Sequence, residues 1–283
     1  MGSVKIITDS TCDVPDYLLK QYDITVVPLL IQIGEATYLD RREIGSQELF
    51  RRLPLAAIAT TLPPSLDSFE QAYRAINRAG DSALVITLSS KLSDTYQTAV
   101  RARESVGGRT AANIAVIDSL STSMGLGLMV LAAAKAAARG NLGLSELTAF
   151  VTRMVGQTHV VFFVENYEYL TRGGRAARIA PLLEQATTRY LLRLDEGQIV
   201  PFERARTRAK AIEGLYNFVE DFPHVEEMAV LHSGVPHEVE QLLTRIHPIY
   251  PRERVLVTEY SAALGTHLGP NALGTAVYEG DDH

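Results

Sequence analysis

The chain has 283 residues, of which 46% are hydrophobic and 21% are charged. This balance is typical of globular proteins and excludes a disordered chain. Its 27 Lys and Arg against 33 Asp and Glu give a net charge of −6, which argues against nucleic-acid binding because phosphate neutralisation requires clustered basic residues. Cys12 is the single cysteine, so intramolecular disulfides and multi-cysteine metal sites are excluded and a reducing compartment is indicated.

The first half of the chain alternates short apolar runs with helical patterns. Strands are predicted at residues 4–7, 24–33, 83–88 and 114–117. Helices are predicted at residues 66–79, 95–106 and 123–139, each followed by glycine. Such alternation is typical of parallel strands joined by crossover helices, so residues 1–156 are predicted to form an N-terminal α/β domain with a Rossmann-like parallel sheet.

The second half has a different pattern, and a length of 283 residues at about 150 per domain agrees with a second domain. A short glycine-containing turn, Asp195-Glu196-Gly197, predicts an antiparallel hairpin. Strands are predicted at residues 160–164, 190–194, 198–203, 228–231, 255–260 and 272–278, and helices at residues 176–186, 208–222 and 238–246. Residues 157–283 are therefore predicted to form a C-terminal domain with a mixed α/β sheet.

Neither a targeting signal nor a membrane span is predicted. The apolar run at residues 4–7 begins so early that no signal peptide fits before it. The longest apolar stretch, residues 124–138, has 15 residues, whereas a bilayer span needs about 20. We therefore expect a cytoplasmic protein without stable membrane insertion.

Hydroxyl side chains follow the predicted strands of the first half. Ser10, Ser93 and Ser119 each come after a strand and ahead of a helix, and Thr60 and Thr61 precede another helix. Ligands of open α/β sheets bind beyond the carboxyl ends of the strands, where helix N-termini offer unpaired N–H groups. Each hydroxyl alone is explained equally well as a helix cap, but their recurrence predicts a site for an anionic group.

The common motifs of nucleotide, metal and hydrolase sites are absent from the sequence, including the Walker A loop, H-E-x-x-H and G-x-S-x-G. The seven histidines show no i, i+4 pairing, so no metal and no cofactor is predicted. Gly125 and Gly127 lie inside an apolar helical pattern, where they favour close packing of the helix over phosphate binding.

Two further features have both a structural and a functional interpretation. His267 lies among turn-forming residues that can present an imidazole at a bend, with Thr266 beside it. A structural histidine fits this position as well. A basic stretch is either a solvated rim or a docking surface, and it includes Arg172, Arg175 and Arg206.

Seven segments together resemble the DegV family over essentially the whole chain. They are TDSTCD at residues 8–13, TTLP at 60–63, LSSKLSDTYQ at 88–97, DSLSTSMG at 118–125, YLTRGGR at 169–175, RARTR at 204–208 and GTHLGP at 265–270. This resemblance implies a two-domain DegV-like fold and a bacterial protein that binds a long-chain fatty acid. It also implies that a separate fatty acid kinase, which carries the nucleotide and metal, phosphorylates the bound acid, so the chain itself is a lipid carrier and not an enzyme.

The resemblance also implies roles for individual residues. It assigns the fatty acid carboxylate to Thr61, Ser93 and His267, and places the acyl tail in an apolar tunnel. To these we add Ser10, Thr60, Ser119 and Thr266 as supporting positions, and we assign the docking of the kinase to Arg172, Arg175 and Arg206. The chain departs from the family where Lys91 and Asp94 replace frequent glycines, and where residues 188–192 replace a Lys-Pro-Ile-like segment.

Two other functions remain open from the residues alone. Ser93 and His267 are a candidate pair for a hydrolase acting on small acyl esters, although such a nucleophile requires a base oriented by a third group. A regulatory module that binds another anionic small molecule is the second alternative.

Overall fold

The computed structural model describes residues 3–52, 59–172, 179 and 189–280. The strands in these residues are β1 Val4–Asp9, β2 Thr25–Val27, β3 Leu30–Ile33, β4 Ala36–Leu39, β5 Ala59–Leu62, β6 Ser82–Thr87, β7 Ile114–Asp118, β8 Thr158–Phe163, β9 Arg189–Asp195, β10 Gln198–Ala205, β11 Glu227–His232, β12 Leu256–Glu259 and β13 Leu273–Tyr278.

The helices in the same residues are α1 Asp16–Gln21, α2 Ser46–Arg52, α3 Leu66–Ala79, α4 Thr95–Val106, α5 Gly108–Ala112, α6 Ser123–Ala138, α7 Leu144–Val155, α8 Glu168–Arg172, α9 Arg208–Glu220, α10 Pro236–Ile246 and α11 Ala262–Leu268, with 3-10 turns at Ser10–Cys12 and Arg252–Arg254.

The first half of the chain contains a four-stranded parallel sheet with the strand order β2-β1-β6-β7. Its central strands β1 and β6 are buried on both faces, as crossover helices require. A six-stranded mixed sheet follows, in the order β10-β9-β8-β13-β11-β12, in which only β11 and β12 are parallel. The predicted combination of a parallel N-terminal sheet and a mixed C-terminal sheet is therefore confirmed.

A three-stranded antiparallel sheet, in the order β4-β3-β5, was not predicted. The sequence pattern predicted one strand over residues 24–33, but the structure divides it into β2 and β3, which belong to different sheets. Pro28 lies at the division and has no N–H to donate to a strand partner, and the next N–H, of Leu29, is donated to Ser10 Oγ at 3.0 Å. Thr60 and Thr61, which were noted only as preceding a helix, are in β5 of this sheet.

Helix α6 packs between the two larger sheets. It contacts β1 and β6 of the parallel sheet and β8, β11 and β13 of the mixed sheet. Its buried side chains surround the helix, which explains why its sequence is apolar on every face. One apolar core consequently runs through both halves of the chain, and the division at residue 156 remains a prediction.

The two glycines of α6 allow this close packing. A Cβ at Gly127 would lie 2.4 Å from the main-chain oxygen of Cys12, and a Cβ at Gly125 would lie 2.5 Å from Cγ2 of Val160. Gly127 therefore faces the 3-10 turn after β1, and Gly125 faces β8. This geometry agrees with the predicted packing role of both glycines.

The predicted hairpin is present as β9 and β10, joined by Glu196 and Gly197 with φ values of 46° and 80°. Two consecutive turn residues with left-handed φ values are typical of the two-residue hairpin turns whose twist matches that of the flanking strands. Helices α2, α5, α7, α8 and α11 were not predicted, and α11 contains His267 where the sequence indicated a bend. Of the predicted helix at 176–186, only residue 179 is described.

Candidate ligand-binding site

An apolar cavity lies between the mixed sheet and helix α11, and we call it the slot. Its apolar walls include side chains from five of the six strands of the mixed sheet: Val160, Phe162, Leu194, Ile199, Leu231 and Leu273. Leu88 and Leu92 from the loop after β6 line it as well. Because nearly all of these groups are hydrocarbon, the slot suits the aliphatic part of a ligand.

The slot is narrow. The empty space between its walls and at its mouth amounts to about 820 Å³, but opposite walls lie close together, so that little of this space is wider than a water molecule. A thin, extended chain fits this shape better than a compact molecule.

The imidazole of His267 lines the slot, together with the rings of Phe162 and Tyr260. Helix α11, which we call the histidine helix, begins after Ser261, whose hydroxyl accepts the N–H of Leu264 at 3.4 Å. His267 lies in its last turn, with 8% of its surface exposed. The helix packs on β5, which brings Nε2 of His267 within 2.8 Å of Oγ1 of Thr61.

Ser93 reaches the same slot from a different element. It precedes α4, and its Oγ lies 3.0 Å from Oγ1 of Thr95 and accepts the N–H of Thr95 at 3.3 Å. Its loop is attached to the β9–β10 hairpin, because Ser89 Oγ donates to the main-chain oxygen of Gly197 at 2.8 Å. Thr61, Ser93 and His267, which are far apart in the sequence, therefore line one cavity.

Three other Ser and Thr residues line the slot and were not among the predicted site residues: Thr11, Thr122 and Ser123. They belong to the segments TDSTCD and DSLSTSMG. The sequence pattern identified these two segments as family motifs but did not assign these three residues to the site. Thr11 donates to Asp9 Oδ1 at 2.6 Å and Ser123 donates to Asp13, whereas the hydroxyl of Thr122 is buried without a hydrogen-bond partner.

The four supporting residues lie outside the lining of the slot. Ser10 accepts the N–H of Leu29, Ser119 bonds the main chain of Ser121, and Thr266 donates to the main-chain oxygen of Ala263 at 2.7 Å. Thr60 is exposed on the opposite side of β5 from Thr61. Ser119 and Thr266 stabilise local structure, which is the alternative that their sequence pattern left open, whereas Ser10 holds the chain between β2 and β3.

The predicted docking residues are described only in part. Arg206 is exposed just after β10, which leaves its guanidinium accessible to a partner. Arg172 ends helix α8, but its side chain, like the whole of Arg175, lies outside the described residues. Nearby Arg208 has a structural role, since it pairs with Glu165 and Glu238.

Within the described residues, no group of three or more His, Cys, Asp or Glu side chains is placed to hold a metal ion. None of the described helices is long and apolar enough to cross a bilayer.

The fold and the cavity define a class of protein: two α/β sheets around a buried helix, with a narrow apolar slot that is lined at a few positions by hydroxyls and one imidazole. The chain belongs to the DegV family, since the model of the family described as "Uncharacterised protein, DegV family" matches residues 3–280.

Individual relatives resemble the chain over nearly its whole length. A DegV domain-containing protein from Streptomyces coelicolor is 34% identical over 280 residues, which are 97% of this chain and 98% of the relative. A protein from Thermotoga maritima that is named "Fatty acid-binding protein" is 29% identical over 283 residues, or 97% of each chain. A solved structure of a fatty-acid-binding DegV family protein from Thermus thermophilus superposes with a TM-score of 0.87 at 30% identity, covering 98% of this chain and 99% of that one.

Proposed function

We propose that this protein binds a long-chain fatty acid in the slot and presents its carboxylate to a separate fatty acid kinase. The observation that carries the proposal is the contact between Thr61 and His267, two polar side chains that meet at the wall of a mostly apolar cavity. The fatty-acid-binding relatives from Thermotoga maritima and Thermus thermophilus support the same ligand class.

The slot supplies affinity through the acyl tail. Each buried methylene contributes about 0.8 kcal/mol, so a tail of about fourteen methylenes contributes roughly 11 kcal/mol before ordering and association costs are subtracted. The narrowness of the slot matters here because a chain in contact with walls on all sides also gains dispersion energy.

The polar residues determine which end of the ligand is held. A carboxylate that leaves water loses several kcal/mol unless hydrogen-bond donors replace its hydration. The hydroxyls of Thr61 and Ser93 and the imidazole of His267 are the donors that we assign to it. In this arrangement the protein acts as a carrier in the cytoplasm, and the kinase supplies the nucleotide, the metal and the chemistry.

The hydrolase alternative is less well supported by the geometry. The imidazole of His267 contacts Thr61, while the hydroxyl of Ser93 is hydrogen-bonded to Thr95. A serine nucleophile requires its base within hydrogen-bond reach. A short-chain ester assay separates the two functions: turnover that is abolished by Ser93→Ala would support the hydrolase and contradict the carrier.

The direct test is the identity of the bound molecule. We expect gentle purification from bacterial cells, followed by native mass spectrometry and organic extraction, to yield about one long-chain fatty acid per chain. A different anionic small molecule in the slot would support the regulatory module. Protein that is empty as purified and does not bind added fatty acid would overturn the proposal.

The kinase partner is tested at Arg206. Arg206→Glu is expected to lower the rate of kinase-dependent acyl-phosphate formation about fivefold at limiting carrier concentration, because charge reversal at a docking surface slows association. The affinity for the fatty acid should be unchanged, since Arg206 does not line the slot.

Arg153→Glu is the matched control, since Arg153 is also exposed but lies on helix α7 against the parallel sheet. Equal rates for Arg206→Glu and Arg153→Glu would remove Arg206 from the docking surface.

A further inference from the structure

Two buried carboxylates hold the beginning of the histidine helix. Asp13 Oδ1 accepts the main-chain N–H of Ser261 at 2.8 Å, and Asp40 Oδ1 accepts that of Ala263 at 3.1 Å. Asp13 and Asp40, which we call the aspartate pair, are 2% and 0% exposed. The first N–H groups of a helix have no partner inside the helix, and here residues from the N-terminal half of the chain supply those partners.

Asp13 also connects the histidine helix to the central helix α6. Its Oδ2 accepts the hydroxyl of Ser123 at 2.5 Å, and its main-chain oxygen accepts the hydroxyl of Thr258 at 3.0 Å. Ser123 begins α6 and lines the slot. One side chain therefore links the wall of the slot to the helix that carries His267.

The two carboxylates of the aspartate pair share one cation, Arg41, which is itself paired with a third carboxylate. Arg41 faces both carboxylates, but its NH2 group donates to Asp16 Oδ1 at 2.6 Å and to the main-chain oxygen of Val14 at 2.8 Å. Burial raises the pKa of Asp13 to about 7 and that of Asp40 to about 6, partly opposed by Arg41 and by the hydrogen bonds that each carboxylate accepts. The charge of the pair therefore changes near neutral pH.

Three other titratable groups, Cys12, Tyr260 and Asp9, are buried in the same region. Burial raises the pKa of Cys12 to about 12 and raises that of Tyr260, so both stay neutral in this range. Burial also raises the pKa of Asp9, but its oxygens accept hydrogen bonds from Thr11 and Leu88. Among the described residues, the exposed carboxylates of Asp16 and Glu259 also act on this region, through Arg41 and Tyr260 respectively.

We propose that Asp13 and Asp40 are positioning residues of the fatty-acid site: as anions they fix the first turn of the histidine helix so that His267 meets the ligand, and protonation of the pair weakens ligand binding. The role rests on the proposed function of the slot. Hydrogen bonds to a carboxylate are roughly twice as strong as those to a neutral acceptor, so a proton on Asp13 or Asp40 loosens the helix without removing any side chain.

The sign of the pH effect distinguishes this role from a purely structural one. A carboxyl group whose pKa is raised on folding stabilises the fold in its protonated form, and this stabilisation is lost as the pH rises through about 7 for Asp13. Acidification from pH 8 therefore strengthens the fold at Asp13 while it weakens ligand binding. Stability and affinity move in opposite directions.

The test compares the wild-type protein with Asp13→Asn and Asp40→Asn, using calorimetric titration of palmitic acid and of hexadecanesulfonate at a series of pH values. The sulfonate stays charged throughout, so its own titration contributes nothing. Protonation of His267 attracts an anion more strongly and would change affinity in the opposite direction. We expect wild-type affinity for the sulfonate to fall about fivefold to tenfold between about pH 8 and about pH 6, in step with protonation of the pair.

The two variants mimic protonated carboxyl groups. Asp13→Asn is expected to bind about as weakly at pH 8 as the wild-type protein binds at pH 6, to change less than about twofold over the range, and to unfold a few degrees higher at pH 8 because a buried charge is gone. Asp40→Asn is expected to remove the change in sulfonate affinity that occurs near pH 6.

A third variant keeps both carboxyl groups. The hydroxyl of Ser123 lowers the pKa of Asp13, so Ser123→Gly is expected to move the midpoint of the affinity profile to higher pH. Glycine tolerates the φ of 52° at this position.

The outcomes separate the two proposals. A wild-type protein that binds neither ligand at pH 8 would overturn the fatty-acid function. Binding at pH 8 that is independent of pH, or an unchanged profile in Asp13→Asn, would overturn the positioning role alone. If Asp13→Asn does not fold, the midpoint of Ser123→Gly decides: a midpoint equal to that of the wild-type protein contradicts the role of Asp13.

Discussion

His267→Ala is expected to weaken the binding of a long-chain fatty acid by about 10-fold to 100-fold. Loss of one hydrogen bond to a charged group costs about 1.5–3 kcal/mol, and each 1.4 kcal/mol is a factor of ten in affinity. The tail still fills the slot, so binding is weakened and not abolished. Calorimetric titration at fixed pH measures the change.

A ligand without a carboxylate shows whether His267→Ala acts on the head group or on the acyl tail. The wild-type protein is expected to prefer palmitic acid over hexadecanol, and His267→Ala should lose most of this preference because the imidazole interacts with the head group alone. His237→Ala is the matched control, since His237 is exposed on α10. Unchanged affinity and unchanged preference in His267→Ala would show that the carboxylate binds elsewhere.

Gly127→Ala is expected to destabilise the fold by about 1–3 kcal/mol or more, the usual range for an overfilled core. The added Cβ would lie 2.4 Å from the main-chain oxygen of Cys12 and 2.8 Å from Sδ of Met124. The methionine can move, but the oxygen belongs to the 3-10 turn that Asp9 holds at Thr11. Since α6 is packed between two sheets, a shift away from Cys12 presses the helix against the other sheet.

Urea denaturation of Gly127→Ala measures this cost, with Gly156→Ala as the control. Gly156 has a φ of −78° and no heavy atom within 4 Å of an added Cβ. This substitution should leave the stability unchanged or raise it by up to about 1 kcal/mol, since it restricts the unfolded chain. Equal stabilities of the two variants would contradict the close contact at Gly127.

The sequence pattern located the long elements well and the short ones poorly. Helices α3 and α4 begin and end where helical spacing and the following glycines placed them. Strands β3, β4 and β5 have four residues each, too few for an alternating pattern to emerge. Strand β5 pairs with β3 across more than twenty residues, whereas β3 and β4 form a local hairpin that was missed. Helix α7 had a detectable signal that was missed, with buried Leu147, Val151 and Met154 at helical spacing.

The candidate site was reached by motif resemblance and not by local pattern. The candidate hydroxyls looked alike in the sequence, yet Ser119 bonds its own loop and Ser10 bonds the main chain of Leu29, whereas Thr61 and Ser93 line the slot. Helix caps and ligand donors use the same types of side chain. Only the direction in which a hydroxyl points in the folded protein shows which of the two roles it has.

The amino-acid sequence by itself determined the alternation of strands and helices, the β9–β10 turn and the packing role of Gly125 and Gly127, because hydrophobic spacing and backbone freedom are properties of neighbouring residues. Tertiary structure alone decided that Thr61 meets His267 across 206 positions and that the aspartate pair holds the histidine helix. Such contacts depend on how the sheets and helices pack in three dimensions, and the local spacing of residues carries no information about partners so far apart in the sequence.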